Sequence, residues 1–333
     1  MNRPMVKALV TGGGGFLGKA IVRLLRARGD VVRSFSRTPH PELAALGVEH
    51  CCGELHDPVA VDAAVAGCDI VYHVAAKAGI WGPYADFYQA NVVGTQNVID
   101  ACRRHGVRRL VYTSSPSVIF DGHDMEGVDE SVPYPRHFHA PYPQTKAAAE
   151  ILVLRSNGPE LATVALRPHL IWGPEDNHLV PRILARGRQG ALRRIGTRPC
   201  LVDTIYIDNA AAAHLLAADA LAIGSQVAGR AYFLSQGEPI PLWEMVNRIL
   251  AAGGLPPVTR TISPRLAYAI GWTLEKSYAA LRITGEPRMT RFVARELSTS
   301  HWFDISAARR DFGYQPLVSL DAGMERLQAW LAR

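Results

Sequence analysis

Residues 140–150 read APYPQTKAAAE, with a tyrosine between two prolines and a lysine four positions on. Residues four apart lie on one helical face. A proline in the first helical turn is well tolerated, because its missing N–H would be unpaired there anyway. Pro143 is therefore expected to open a helix through Lys146, Ala147, Ala148 and Ala149, with Tyr142 and Lys146 stacked on one side. A free phenol titrates near ~10, too high for easy proton exchange at neutral pH, and a neighbouring ammonium favours its ionised form. The pair can thus hold and release a proton. Taken alone, the same spacing also fits a surface tyrosine resting on a lysine stem, so the surrounding elements decide.

Those elements read as a nucleotide-binding sheet. VKALVT at 6–11 is a short apolar run; GGGGFLG follows, then KAIVRLLRARG with helical spacing, then VVRSFS. Strand, glycine turn and helix in that order make a βαβ unit. Gly12, Gly15 and Gly18 punctuate the turn, which lets the backbone approach a pyrophosphate while the helix N-terminus offers N–H groups and positive dipole. VEHCCGELHDP, DIVYHVAA, RRLVYTSS and ATVALRPHLIWGP continue as strands three to six, with a helix over about 86–105 and the Tyr142/Lys146 helix between them. Strands alternating with helices imply an α/β fold with a doubly wound parallel sheet, a Rossmann fold. Ligands then sit outside the carboxyl ends of the strands. Those ends carry Gly12 to Gly15, Ser36, Glu54, Ala75 and Ala76, Ser114 and Ser115, and Pro168 and His169.

The bulk numbers agree with such a domain. The chain has 333 residues, of which 48% are hydrophobic and 20% charged, enough to bury a large core with a smaller lobe beside it. Its net charge of +6 comes almost wholly from arginine, since lysine occurs only at 7, 19, 77, 146 and 276. That excess suits anionic small ligands and is too diffuse for nucleic acid. Cys51, Cys52, Cys68, Cys102 and Cys200 are odd in number and lack close pairing motifs, which reads as reduced thiols in the cytoplasm. The scattered histidines, His137-Phe138-His139 included, form no metal signature. With a strand beginning at about residue 6, no leader peptide is expected.

TGGGGFLG, GELHDP, HVAA, NVVGTQN, YTSS and the Tyr142/Lys146 spacing occur in the order typical of extended short-chain dehydrogenases/reductases. The chain resembles that family along essentially its whole length, including the tail FDISAARRDFGYQPLVSLDAGMERL. Within it, the resemblance is to the 3β-hydroxysteroid dehydrogenase group, which includes sterol-4α-carboxylate 3-dehydrogenases and bacterial 2-alkyl-3-oxoalkanoate reductases of olefin biosynthesis. The resemblance implies that Tyr142 exchanges a proton with the substrate oxygen and that Lys146 lowers its pKa and bonds the nicotinamide ribose. Ser115 would hydrogen-bond the same oxygen, with Ser114 as the alternative if the strand ends one residue earlier. It also implies a cofactor cradle of Gly12, Gly15, Phe16, Leu17, Ser36, Arg37, Glu54, Leu55, Ala75, Ala76, Thr113, Tyr142, Lys146 and Pro168. Nucleotide-sugar dehydratases of the family carry an Asp-Glu pair where this chain has Pro116 and Ser117, so water elimination is not expected. A non-catalytic NADP sensor would usually lack the Tyr/Lys pair. An acid at the end of the second strand bonds the ribose of NAD; here Ser36 and Arg37 stand there and can bond a 2′-phosphate, which predicts NADP(H). The expected reaction is NADPH-dependent reduction of the 3-keto group of a 2-alkyl-3-oxoalkanoic acid, with a 3β-hydroxysteroid or sterol-4α-carboxylate as the competing substrate.

The second half is less regular. Residues 1–175 are assigned to the dinucleotide-binding domain and 176–333 mainly to a substrate lobe and lid, with parts of 200–240 and 300–310 returning to the first domain. Arg182, Arg186, Arg188, Arg193, Arg194 and Arg198 fall in a stretch without an acid. They read either as a solvated face or as a source of one or two contacts to a substrate carboxylate, for which Lys77 is another candidate. PRLAYAIGWTLEKSYAALRI at 264–283 has helical apolar spacing at 266, 270, 274, 278 and 281. Glu275 and Lys276 interrupt it, so it is no membrane span. A hydrophobic lid is the preferred reading, with peripheral membrane contact, pathway-enzyme contact or plain packing as alternatives. The helices at about 86–105 and 143–157 form a dimerising bundle in many members of the family, so a homodimer is expected.

Overall fold

In the computed structural model, which describes residues 5–333, seven parallel strands form the central sheet. Their order across the sheet is Arg230–Leu234, Ala162–Pro168, Arg109–Thr113, Ile70–His73, Lys7–Thr11, Val31–Ser36 and Glu49–Cys52. All seven residues of Ala162–Pro168 are buried, as a strand covered by helices on both faces must be. On one face lies the helix Phe16–Ala27, whose buried Leu17, Ile21, Val22 and Leu25 recur at helical spacing. The helix Ile207–Ala220 packs beside it. The opposite face is closed by helices Pro58–Val65, Gly94–Arg104 and Pro141–Arg155, which bury Val65, Val98, Ile99, Cys102 and Val153.

The sequence reading named six strands and returned part of 200–240 to this domain without naming the strand there. Arg230–Leu234 pairs in register with Ala162–Pro168 and extends the sheet by one. Within 300–310, His301–Phe303 joins a second, four-stranded sheet with Met125–Val128, Leu201–Val202 and Ile240–Pro241, while the helix Ser306–Phe312 leans on Arg230–Leu234.

Two local expectations are corrected. The helix bearing Tyr142 begins at Pro141, not Pro143. Ala140 is extended (φ −152°, ψ 156°), the geometry a following proline imposes, so the first proline already starts the helix. Tyr142 is therefore inside the first turn. The expected helix over 86–105 is broken by a π-helical turn at Gln89–Val93, between Tyr84–Tyr88 and Gly94–Arg104. In that turn, Asn91 accepts from the Lys77 backbone N–H and donates to the Lys77 carbonyl and the Thr145 hydroxyl, which ties the loop after Ala76 to the Tyr142 helix.

His214, fully buried on Ile207–Ala220, is 2.9 Å from Thr113 Oγ1 through Nε2 and 2.7 Å from the Ala210 carbonyl through Nδ1. Burial lowers its pKa to about 4. A histidine held neutral in the fold binds a proton more readily when unfolded, so its contribution declines as pH falls below its unfolded pKa. Between pH 8 and pH 5 this amounts to about 2 kcal/mol. His214→Gln should lose stability at pH 8 but regain about 2 kcal/mol relative to wild type at pH 5. Urea denaturation at both pH values reads this directly, and parallel pH dependences would refute a neutral buried His214.

Candidate active site

The carboxyl ends of the first and fourth strands meet at a glycine. Gly12 has φ +70°, and a Cβ there would lie 3.0 Å from Ala75 Cα, so only glycine lets the two loops approach. Gly18 is equally constrained, since its Cβ would fall 2.1 Å from the Gly12 carbonyl oxygen. Thr11 Oγ1 accepts from the backbone N–H of Val74 and Ala75 and is 2.8 Å from His73 Nδ1, while His73 Nε2 reaches Thr95 Oγ1 at 2.9 Å. The helix that follows begins at Phe16 with Gly15 as its cap, no side-chain cap and no acid in its first turn. Its N–H groups are left for an anion, which is what a dinucleotide pyrophosphate requires.

The other expected cradle residues lie along the same edge. Leu17 is in the core, so only its backbone can face a ligand, while Phe16 is partly exposed. Leu55 is buried, with its carbonyl accepting from Asn97, and Glu54 beside it is exposed. Pro168 ends the strand Ala162–Pro168. Ser36 Oγ donates to the Thr38 carbonyl and is 3.1 Å from His50 Nε2. Arg37 is exposed and pairs with no carboxylate among the described residues. The set fits a nicotinamide dinucleotide: glycines where backbones crowd, an uncapped helix end, and no acid at the Ser36 position.

Beyond the fifth strand, Arg109–Thr113, Ser115 caps a short 3₁₀ turn, and its hydroxyl favours the ionised form of the Tyr142 phenol. Ser117 donates to Ser115 Oγ through both its backbone N–H (3.2 Å) and its hydroxyl (2.9 Å). Ser114, the alternative serine, is buried with a hydroxyl that has no partner. Tyr142 is half-buried, and burial pushes its phenol up to about 12; Ser115 opposes this rise and the Glu296 carboxylate adds to it.

Lys146, one turn along, is buried. Its Nζ donates to the Thr113 carbonyl at 2.6 Å and lies 4.1 Å from the centroid of the Tyr112 ring. Burial lowers its pKa to about 7, against the pull of Glu150. The expectation that Lys146 sets a low Tyr142 pKa therefore changes: the ammonium is engaged by Thr113, and burial dominates the phenol.

Two features escaped the sequence reading. Glu296, the last residue of the helix Arg291–Glu296, disfavours the Tyr142 phenolate through its charge from the far end of the chain, and burial raises its own carboxyl to about 7. His169 and His301 approach at 3.2 Å behind it, and His301 Nε2 meets the Glu296 carbonyl at 3.0 Å. No spacing in the sequence links these positions. The cations weighed for a substrate carboxylate are mostly engaged elsewhere. Arg182 pairs with Glu286, Arg198 with Asp124 and Lys77 with Asp86, while Arg186, Arg193 and Arg194 donate to backbone carbonyls.

The model of the 3-beta hydroxysteroid dehydrogenase/isomerase family matches residues 9–265. A 2-alkyl-3-oxoalkanoate reductase of Stenotrophomonas maltophilia is 55% identical over 97% of this chain and 99% of its own length. A second protein of that name, from Shewanella oneidensis, is 53% identical over 97% of this chain and 86% of its own. The solved Thermus thermophilus UDP-glucose 4-epimerase in complex with NAD superposes with a TM-score of 0.73 at 25% identity, covering 98% of this chain and 99% of that one. The chain belongs to the 3-beta hydroxysteroid dehydrogenase/isomerase family and is an oxidoreductase of the short-chain dehydrogenase/reductase type.

Glu296 gives the site a test of its own. Glu296→Gln removes a negative charge that disfavours the phenolate, so the Tyr142 pKa should fall. The rise of kcat/KM with pH in the alcohol-oxidising direction should then move to lower pH in the variant. An unchanged profile would separate Glu296 from Tyr142.

Proposed function

We propose that this family member reduces the 3-keto group of a 2-alkyl-3-oxoalkanoic acid to the 3-hydroxy acid, with NADPH, as a cytoplasmic enzyme. The chemistry rests on Ser115 and Tyr142, whose phenol the serine hydroxyl favours in ionised form, beside the glycine cradle. The substrate rests on the name shared by the relatives at 55% and 53% identity, both aligned over nearly the whole chain.

In this reading bound NADPH supplies the hydride. Ser115, steadied by Ser117, holds the substrate carbonyl oxygen, and Tyr142 hands it a proton. A phenol kept protonated by burial is in the right form for that step. Lys146, seated on the Thr113 carbonyl, would bond the nicotinamide ribose from the same helix. Gly12, Gly15, Phe16, Leu17, Leu55, Ala75, Ala76, Thr113 and Pro168 would hold the cofactor, together with Tyr142 and Lys146. Ser36, Arg37 and Glu54 would border its adenosine end.

NADPH over NADH is supported by the missing acid at Ser36 and by the uncommitted Arg37. Ser36 has already donated its one proton to Thr38, so Arg37 is the stronger phosphate ligand here. A homodimer through the helices Gly94–Arg104 and Pro141–Arg155 is part of the proposal, read by size-exclusion chromatography with light scattering.

Tyr142→Phe should keep the fold and NADPH binding and lower turnover by roughly 10²–10⁴-fold, the usual weight of a general acid. Lys146→Ala should lose turnover and NADPH affinity together. Tyr142→Phe at more than a few per cent of wild-type rate would move the proton donor elsewhere.

Cofactor choice is measured by catalytic efficiency. NADPH should exceed NADH, and Ser36→Asp should reverse the order; better use of NADH by wild type would defeat the proposal. For the substrate, reduction of a 2-alkyl-3-oxoalkanoate is set beside oxidation of a 3β-hydroxysteroid. Higher efficiency on the steroid would replace the substrate, and no turnover on either would favour a cofactor-binding sensor.

A further inference from the structure

A β-keto acid carries its carboxylate two bonds from the carbonyl carbon. A cation that binds it must therefore stand beside the serine and tyrosine that hold the carbonyl oxygen. The segments bearing those two residues meet at Gly122. The chain leaving Ser115 turns through Pro116–Ile119 and Phe120 to reach it. The chain arriving at Tyr142 passes it at His139, whose Nε2 lies 3.1 Å from the Asp121 carbonyl oxygen. Gly122 is buried, with φ +94°. A Cβ there would lie 3.0 Å from His139 Nε2 and 2.5 Å from Arg295 Nη1, so the glycine is what admits the arginine to this junction. Arg295 comes from the helix Arg291–Glu296, where the Phe292 ring packs edge-on to Phe120 at 5.8 Å. The helix is thereby held against the turn that begins at Ser115.

The other cations at this junction are taken. Arg291 is held by Glu275 and Arg198 by Asp124, each at 2.6 Å. Arg295 is half-buried and has no carboxylate partner among the described residues. Its guanidinium carbon lies 5.5 Å from the centroid of the Tyr268 ring. A guanidinium partly withdrawn from water, backed by an aromatic face, keeps its planar fork open to a carboxylate. The acids on the same segments are otherwise placed. Asp121 Oδ1 accepts from the His123 N–H at 2.9 Å, and Asp124 is bound to Arg198. Glu296, the next residue, is raised toward its neutral form by burial, which weakens the repulsion an ionised acid would exert on a substrate carboxylate.

We infer that Arg295 binds the substrate carboxylate, and that this cation, rather than Lys77 or the arginines of 182–198, makes the enzyme choose keto acids over neutral ketones. The inference rests on the keto-acid reading above. Ser115 and Tyr142 hold the carbonyl oxygen, and the carboxylate extends toward the junction where Arg295 ends. Two fixed points on one substrate orient it before the hydride is transferred.

The test uses the stable 2-alkyl-3-hydroxyalkanoate and its methyl ester, each oxidised with NADP⁺ by the purified full-length enzyme. Arg295→Gln should raise KM for the acid roughly 10- to 100-fold, the usual weight of a hydrogen bond to a charged group. Its kcat should change little, because the carboxylate is bound alike in the ground and transition states. Arg295→Lys, which keeps the charge and loses the fork, should fall between. The ester, with no charge to bind, should have the high KM already in wild type and keep it in both variants. Thermal melts and NADPH affinity should match wild type and show that the fold and the cofactor site are kept. An unchanged KM for the acid in Arg295→Gln overturns the inference. Equal losses on acid and ester overturn it too, since they assign Arg295 to packing against Tyr268. The KM rise appearing instead in Arg188→Gln would move the carboxylate to 182–198. If wild type does not oxidise the hydroxy acid at all, the keto-acid reading itself falls and takes the inference with it.

Discussion

A lysine ammonium held out of water anchors this site. Lys146 is 2% exposed, and only the Thr113 carbonyl and the face of Tyr112 receive it directly. Glu150, one turn along the same helix, is the nearest counter-charge acting on it. Glu150 is itself bound by Arg167 through two bonds, at 3.0 and 2.6 Å, and by the Tyr134 hydroxyl at 2.6 Å. Removing one partner from a buried pair of this kind typically costs about 3–5 kcal/mol, because the other charge is left stranded. The Tyr142 helix is thereby fixed to two neighbouring strands, Arg109–Thr113 through Lys146 and Ala162–Pro168 through Arg167. Tyr142, in its first turn, inherits that position.

The same burial moves every ionisable group at the site toward its neutral form. The Tyr142 phenol and the Glu296 carboxyl go up, while Lys146 and His169 go down. Desolvation is the largest cause in each case. The site thus resists charge of either sign. A resting phenol rather than phenolate suits proton delivery to a carbonyl oxygen, whereas the reverse reaction must overcome the same bias. Ser115 pulls the phenol back down, which gives the Ser117–Ser115 pair an electrostatic part as well as a positional one.

What the sequence revealed follows how local each feature is. Gly12, Gly15 and Gly18 lie within one turn, and Tyr142 and Lys146 within another, so their geometry is set by neighbours a few residues away. The strands through Pro168 alternate with helices and most are rich in apolar residues, which made the sheet legible. Arg230–Leu234 was not, because it begins with an exposed arginine and owes its place to a pairing with residues 162–168. The π turn at Gln89–Val93 depends on Asn91 bonding Lys77 and Thr145, contacts 14 and 54 residues apart. Glu296 and His301 are placed by long-range pairing, with His301–Phe303 lying beside both Met125–Val128 and Leu201–Val202. Pro141 and Pro143 could each have begun the helix on local grounds, and the extended Ala140 decided between them.

The arginine excess has a structural logic that composition alone hides. A cation already bonded to a carboxylate has little left for a ligand, because recruiting it strands the acid. Arg182, Arg198 and Lys77 are in that condition, which weakens the reading of 182–198 as a carboxylate trap. Among the described residues, Arg188 in that stretch has no carboxylate partner, and neither has Arg37 at the end of the second strand or any of five cations between 260 and 288 around a helix with outward apolar residues. A lone exposed cation is well solvated and argues little. Cations grouped beside exposed tryptophan, leucine and isoleucine are different, since apolar surface in water has a free-energy cost that solvated charge does not relieve. That grouping, more than the net charge of +6, sets the exposed side of the second half apart from the rest of the surface.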